Sequence, residues 1–169
     1  MRILAVCGSL QARSYNRDLL HTATLTAPPG VDILIFDGLS DLPHFNPDLE
    51  DAGPPASVVR WRQALAESDA VLVACPEYAF SLPGVVKNAI DWVVGSGELE
   101  RKIVAITVAS AGPERGRRGL AALREPLSAL SATIVGGEPI ARGPDFAAQV
   151  TALLLALVVA VHERELTQS

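Results

Sequence analysis

Five short aliphatic runs punctuate the chain, at residues 3–7, 31–36, 70–75, 103–108 and 133–135. Each is nearly continuous in Val, Ile, Leu and Ala rather than alternating with polar positions. That pattern predicts parallel strands covered on both faces. Between the runs the apolar spacing lengthens to that of helices. Residues 16–27 follow Ser14 as a cap. Residues 57–67 place Val58, Trp61 and Leu65 on one face, with Ser57 as cap. Residues 83–94 open with a proline in the first turn and group Val86, Ile90 and Val93. Residues 120–130 align Leu120, Leu123, Leu127 and Leu130, with Pro126 in the interior, where it should kink or break the helix.

The last helical segment, 147–165, is apolar nearly all round. Val150, Leu153, Leu154, Leu157 and Val161 form one stripe, and Leu155 and Val159 fall off it. A helix packed on one sheet needs only one stripe. Strand and helix alternate five times, which predicts a parallel sheet with right-handed crossovers and helices on both faces, in a single domain spanning 1–169. Ligands bind such sheets at the carboxyl ends of the strands. The loops beginning near Gly8, Pro76 and Ala109 are therefore where function is expected.

Charge and composition narrow the classes. The net charge of −5 argues against a nucleic-acid partner, and the one dense basic run, Arg115, Arg117 and Arg118, reads as a solvated loop. Cys7 and Cys75 belong to no C-x-x-C pair and have no zinc spacing, so they are expected as buried thiols in a reducing compartment. The N-terminal run is too short for a signal peptide, and the apolar stretch 150–161 is too short to span a bilayer. A cytoplasmic protein with no membrane partner is expected.

The first loop reads Gly8-Ser9-Leu10-Gln11-Ala12-Arg13-Ser14-Tyr15-Asn16-Arg17. Hydroxyls, an amide and guanidinium groups beside a helix N-terminus suit a phosphate. A single glycine rules out a dinucleotide fingerprint and a P-loop; the simpler alternative is that Ser14 only caps the helix. The second loop, Cys75-Pro76-Glu77-Tyr78-Ala79-Phe80-Ser81-Leu82-Pro83-Gly84, is stiffened by two prolines. It could seat a planar ring on its backbone, or be a turn whose Tyr78 and Phe80 plug the core. The third loop, from Ala109 through Ser110, Ala111 and Gly112 to Gly119, has small residues that let backbone approach a ligand; a mobile surface loop is the alternative. No G-x-S-x-G elbow is present, and His21, His44 and His162 sit in no triad context, so a hydrolase is not indicated.

Taken together, these loops resemble the NADPH-dependent FMN reductase family, which includes quinone, chromate and azo-dye reductases. The resemblance runs from the first strand to about Leu130. Its most specific part, from Pro76-Glu77-Tyr78 through Ser81, Pro83-Gly84 and Lys87-Asn88-Ala89-Ile90-Asp91-Trp92, is similar to the family pattern P-E-Y-N-x-S-x-P-G-x-L-K-N-A-I-D-W. Gly8-Ser9-Leu10, Ser14 and Asn16-Arg17 match the family's phosphate loop. Pro43-His44-Phe45-Asn46-Pro47-Asp48-Leu49-Glu50 resembles its loop after the second strand. There are departures. Gln11 stands where the family has arginine, with Arg13 close enough to substitute. Ala79 replaces an asparagine, and Arg117-Arg118 replace adjacent glycines.

The resemblance implies a flavodoxin-like three-layer sandwich with strand order 2-1-3-4-5. It implies FMN as cofactor, with phosphate on Ser9, Gln11, Arg13, Ser14 and Asn16, and the ring on Pro76, Glu77, Tyr78, Ala79, Phe80, Ser110, Ala111 and Gly112. NAD(P)H would supply electrons, and a small acceptor such as a quinone, flavin, azo compound or metal oxyanion would take them. No side chain is expected to act as a general acid or base, because the flavin carries the chemistry. A flavodoxin-type electron carrier and a binding module that has lost FMN are the competing readings. The family's habit and the apolar excess imply a homodimer or homotetramer. Its interface is expected at helix 83–94, where Val85, Trp92 and Val94 lie outside the stripe, with the last helix as a second contributor.

Overall fold

The computed structural model describes residues 1–112 and 114–168. Its elements are β1 (Arg2–Cys7), α1 (Tyr15–Leu25), β2 (Asp32–Phe36), a 3₁₀ turn (Leu39–Asp41), α2 (Pro47–Asp51), α3 (Ala56–Ala66), β3 (Ala70–Ala74), α4 (Gly84–Asp91), β4 (Ile103–Ser110), α5 (Arg117–Ala129), β5 (Thr133–Ala141) and α6 (Phe146–Gln168). The strands form one sheet in the order β2-β1-β3-β4-β5, and every neighbouring pair is parallel. This is the flavodoxin-like arrangement.

Alternation along each strand builds two cores. Leu4 and Val6 of β1 face one side, where they pack with Trp61 of α3, Ile90 of α4 and Leu123 of α5. Ile3, Ala5 and Cys7 face the other, under Leu19 and Leu20 of α1 and Leu154 and Leu157 of α6. Both sheet faces are therefore apolar, which is why the strands read as unbroken hydrophobic runs.

Several elements differ from expectation. Pro126 neither breaks nor ends α5, which runs on to Ala129 with Leu130 N–H closing on the Pro126 carbonyl at 3.2 Å. An interior proline costs about 3 kcal/mol. Leu120, Leu123 and Leu127 are all buried, and each contributes about 1.5–3 kcal/mol, so packing wins. Pro55, not Ser57, holds the N-cap position of α3. β3 stops at Ala74, one residue short of Cys75.

β5 extends far beyond residue 135, to Ala141. Its middle glycines, Gly136 and Gly137, have φ of 71° and 107°, and the ladder to β4 shifts register there. A glycine pair is the sequence sign of a turn, but here it builds a bulge within one strand. α6 is 23 residues long, and Phe146–Thr167 is long and apolar enough, by composition, to cross a membrane, contrary to the reading from the stretch 150–161. It is nonetheless docked on the sheet through Val150, Leu154, Leu157 and Val161.

Candidate functional site

Strand order turns between β1 and β3, which opens a crevice at their carboxyl ends. The β1–α1 loop forms its first side. Ser14 sits at the N-cap of α1 in extended conformation and is buried, yet its side chain makes no capping hydrogen bond. The amide donors of the first turn are thus left without a side-chain acceptor, beside the positive end of the helix dipole. Ser9 is also buried; its Oγ accepts from Gln11 N–H at 3.3 Å and lies 3.4 Å from Tyr78 Oη. Arg13 and Gln11 are exposed. Asn16 Oδ1 accepts the Ala109 N–H at 2.9 Å, tying α1 to β4.

The β3–α4 loop forms the second side. Tyr78 and Ser81 exchange both backbone hydrogen bonds, at 3.0 and 2.9 Å, around a two-residue turn. Its central residues, Ala79 and Phe80, have φ of 49° and 62°. Two consecutive left-handed residues make a type I′-like turn, which favours Asn-Gly. The position where the family has asparagine is therefore a backbone position first, and Ala79 fits it poorly. Tyr78 and Phe80 are exposed and do not plug the core. Glu77 acts as a strut: its Oε2 accepts the Gly119 N–H at 3.0 Å in the first turn of α5. Gly119 is required at that contact, because a Cβ there would lie 2.9 Å from Glu77 Cα.

The β4–α5 loop closes the site. Ser110 Oγ donates to the Gly112 carbonyl at 2.6 Å, and Ala111 is exposed beside them. The basic run is no uniform solvated loop. Arg117 pairs with Glu114 at 3.2 Å and Glu138 at 2.6 Å, and Arg118 lies 4.3 Å from the centre of the Phe80 ring. Arg115 instead faces a cleft of about 480 Å³, lined also by Tyr15, Pro76, Glu77, Ser110, Ala111 and Arg142. Four of the residues expected in the site thus meet there, while Gln11 and Tyr78 line a neighbouring apolar hollow of about 370 Å³ with Leu10 and His44.

The sequence assigns Tyr15 and Arg142 no role in the site, and it reads Arg115 as part of a solvated loop rather than of a cleft. Arg142 is reached only through the second half of β5, hidden behind Gly136-Gly137. Tyr15 lay inside the phosphate loop, at a position the motif leaves open. Under the second loop, burial, aided by the nearby Cys7, pushes the Cys75 thiol up to about 12. Its Sγ donates to the Pro76 carbonyl at 3.6 Å, so it is a packing group. Among the described residues no cluster could hold a metal ion.

These features suit a flat, phosphate-bearing cofactor. The uncapped α1 terminus and the buried Ser9 and Ser14 hydroxyls supply donors for a phosphate. The backbone of the second and third loops borders a cleft large enough for a ring system. FMN fits this donor set.

Relatives agree. A family model described as NADPH-dependent FMN reductase matches residues 1–144. An NAD(P)H-dependent FMN reductase of Pseudomonas aeruginosa is 40% identical over 129 residues, 75% of this chain and 69% of that protein. A quinone reductase of Escherichia coli is 30% identical over 138 residues, 80% of this chain and 73% of that protein. Among solved structures, the flavoenzyme FerB, an NAD(P)H:(acceptor) oxidoreductase from Paracoccus denitrificans, matches with a TM-score of 0.84 at 26% identity, over 96% of this chain and 97% of that one. An apo NADH:FMN oxidoreductase shares the fold, with a TM-score of 0.74 at 17% identity, over 94% of this chain and 89% of that one. From its loops to its strand order, the chain belongs to the NADPH-dependent FMN reductase family and is an NAD(P)H-dependent, FMN-using oxidoreductase.

Proposed function

We propose that this enzyme reduces a small quinone, with FMN held across the three loops at the carboxyl ends of β1, β3 and β4. The observation that carries this reading is the α1 N-terminus: a buried Ser14 without a capping bond and a buried Ser9 in the same loop, with Tyr15 of the first helical turn lining the cleft. FMN held there would supply the redox chemistry, accepting hydride from NAD(P)H and passing electrons to the acceptor. The chain's part is binding and orientation. Ser9, Ser14 and the first-turn amides hold the phosphate, with Arg13 supplying the charge that Gln11 lacks. Pro76 through Phe80 and Ser110 through Gly112 border the ring. Asn16 Oδ1 and Glu77 Oε2 also hold the loops in place, by accepting the Ala109 and Gly119 amides.

Quinone is favoured over a charged acceptor at the Tyr78 side because the hollow against Leu10, His44 and Val85 is apolar. Flavins, azo compounds and metal oxyanions remain acceptors to compare in the same assay. Steady NAD(P)H oxidation with a quinone separates this enzyme from a flavodoxin-type carrier. Charge-assisted bonds to phosphate are about twice as strong as neutral ones. Arg13→Ala should therefore weaken FMN binding more than Gln11→Ala does in a fluorescence titration. The reverse order would remove Arg13 from the phosphate site.

The same reading places the enzyme in the cytoplasm as a homodimer or homotetramer. The monomer shifts the expected interface. Trp92, just past the end of α4, is fully buried, and its Nε1 donates to the Pro43 carbonyl at 2.7 Å; of the expected apolar excess of segment 83–94 only Val94, also beyond α4, is exposed. α6 does expose Leu155 and Val159. Light scattering that returned the monomer mass of 17.8 kDa at micromolar concentration would overturn self-association.

A further inference from the structure

The cleft carries an electrostatic feature that the family pattern does not explain. Of its three charged lining residues, Glu77 is tied to the Gly119 amide. The other two, Arg115 and Arg142, form no ion pair among the described residues. In a chain of net charge −5, two uncompensated guanidinium groups at one rim are a binding device for an anion. Arg142 is also held. Its backbone N–H donates to the Ser110 carbonyl at 3.0 Å, continuing the β4–β5 ladder. Its guanidinium lies 3.6 Å from the centre of the Tyr15 ring. Stacking on an aromatic face fixes the plane of the fork and leaves its N–H edge free.

Both arginines are exposed, on the β4 and β5 side of the cleft. The FMN phosphate is served by the β1–α1 loop, and the resident ring needs no exposed rim. The ligand that enters and leaves over this rim in every turnover is the nicotinamide dinucleotide. Its 2′-phosphate, present in NADPH and absent from NADH, is a phosphomonoester of nearly two charges beside a planar adenine. A stacked guanidinium plane with a free fork suits that pair, because arginine bonds phosphate in bidentate fashion and stacks on flat rings. An arginine in this role distinguishes the two dinucleotides in other α/β nucleotide sites.

We infer that Arg142, oriented by Tyr15 and assisted by Arg115, reads the 2′-phosphate of NADPH and makes this enzyme prefer NADPH to NADH. The inference rests on the FMN-dependent reading of the cleft, and its test separates the two. FMN-loaded protein is titrated by calorimetry with NADP⁺ and with NAD⁺, neither of which can react. NADP⁺ should bind at least about tenfold tighter, a difference of about 1.4 kcal/mol.

Arg142→Ala and Arg115→Ala should each erode that preference, Arg142→Ala to about threefold or less, while NAD⁺ and FMN affinities stay within about twofold. Tyr15→Leu should act in the same direction with a smaller effect, because it frees the arginine without removing it. These positions are exposed, so the core is untouched. Equal binding of NADP⁺ and NAD⁺ by the unaltered protein would overturn the inference. So would a parallel loss of both in Arg142→Ala, which would assign the arginine to the shared pyrophosphate. A selective fall in FMN affinity would assign it to the resident cofactor instead. Failure of the unaltered protein to load FMN would overturn the functional reading itself, and this inference with it.

Discussion

The two sides of the cleft solve opposite problems. On the β3–α4 side, side chains are spent on architecture. Glu77 is bonded to α5, Ser81 and Tyr78 close a tight turn, Cys75 donates to Pro76, and Asn88 anchors the 43–45 segment through Phe45 N–H at 2.8 Å and the Pro43 carbonyl at 2.9 Å. What this side offers a ligand is backbone. On the β4–β5 side, Arg115 and Arg142 form no ion pair among the described residues, and Tyr15 steadies Arg142. What that side offers is charge. A ring that stays needs rigid backbone; a dinucleotide that exchanges is better met by exposed, long-range charge.

That contrast can be broken at the rigid side. Gly119→Ala has the largest expected effect. Helix propensity alone would favour alanine by about 1 kcal/mol. The new Cβ, however, would lie 2.9 Å from Glu77 Cα and 3.3 Å from the Pro76 carbonyl. Backbone must move, and overpacking of this kind costs about 1–3 kcal/mol. The clash wins, so a net loss of up to about 2 kcal/mol in urea unfolding is expected, with weaker FMN binding. An unchanged denaturation midpoint would mean that the second loop is not wedged against α5.

Ala79→Asn acts on the same side with the opposite sign. Asparagine tolerates the left-handed region that alanine enters at a cost of about 1 kcal/mol or more. A gain of roughly 0.5 kcal/mol is expected, or a melting temperature higher by about 1–2 °C. No gain would show that the turn is paid for by its surroundings.

Cys75 gives the smallest effect at neutral pH, where none is expected. Its folded-state pKa of about 12 lies above the ordinary thiol value, so the folded form keeps a proton that the unfolded chain releases. Stability from this group is complete below about pH 8.5 and falls as pH rises from there towards 12. Cys75→Ala should flatten that alkaline decline. An equally steep decline in the variant would place it elsewhere.

Much of this was legible in the sequence, for reasons that differ by region. Buried parallel strands must be continuously apolar, so all five were visible, as were the loops at their carboxyl ends. The Pro76 to Trp92 motif was readable because its residues serve fixed structural contacts: Trp92 Nε1 and Asn88 Nδ2 both donate to the Pro43 carbonyl. The second half of β5 was not, because Gly136-Gly137 and Pro139 signal a turn unless the neighbouring strand is known. Arg142 was lost with it. Pro126 misled for a related reason, since local propensity carries no information about three leucines docked on a sheet. The bond from the Ala109 amide to Asn16 Oδ1 was not legible, because the two residues are distant in sequence.

The most direct test of the account compares FMN with riboflavin, which differ only by the phosphate, in titrations of the cofactor-free protein. If the uncapped α1 terminus with Ser9, Ser14 and Arg13 is the phosphate site, FMN should bind at least about a hundredfold tighter, a difference of about 2.7 kcal/mol. Equal affinities, or no FMN binding below about millimolar, would contradict it.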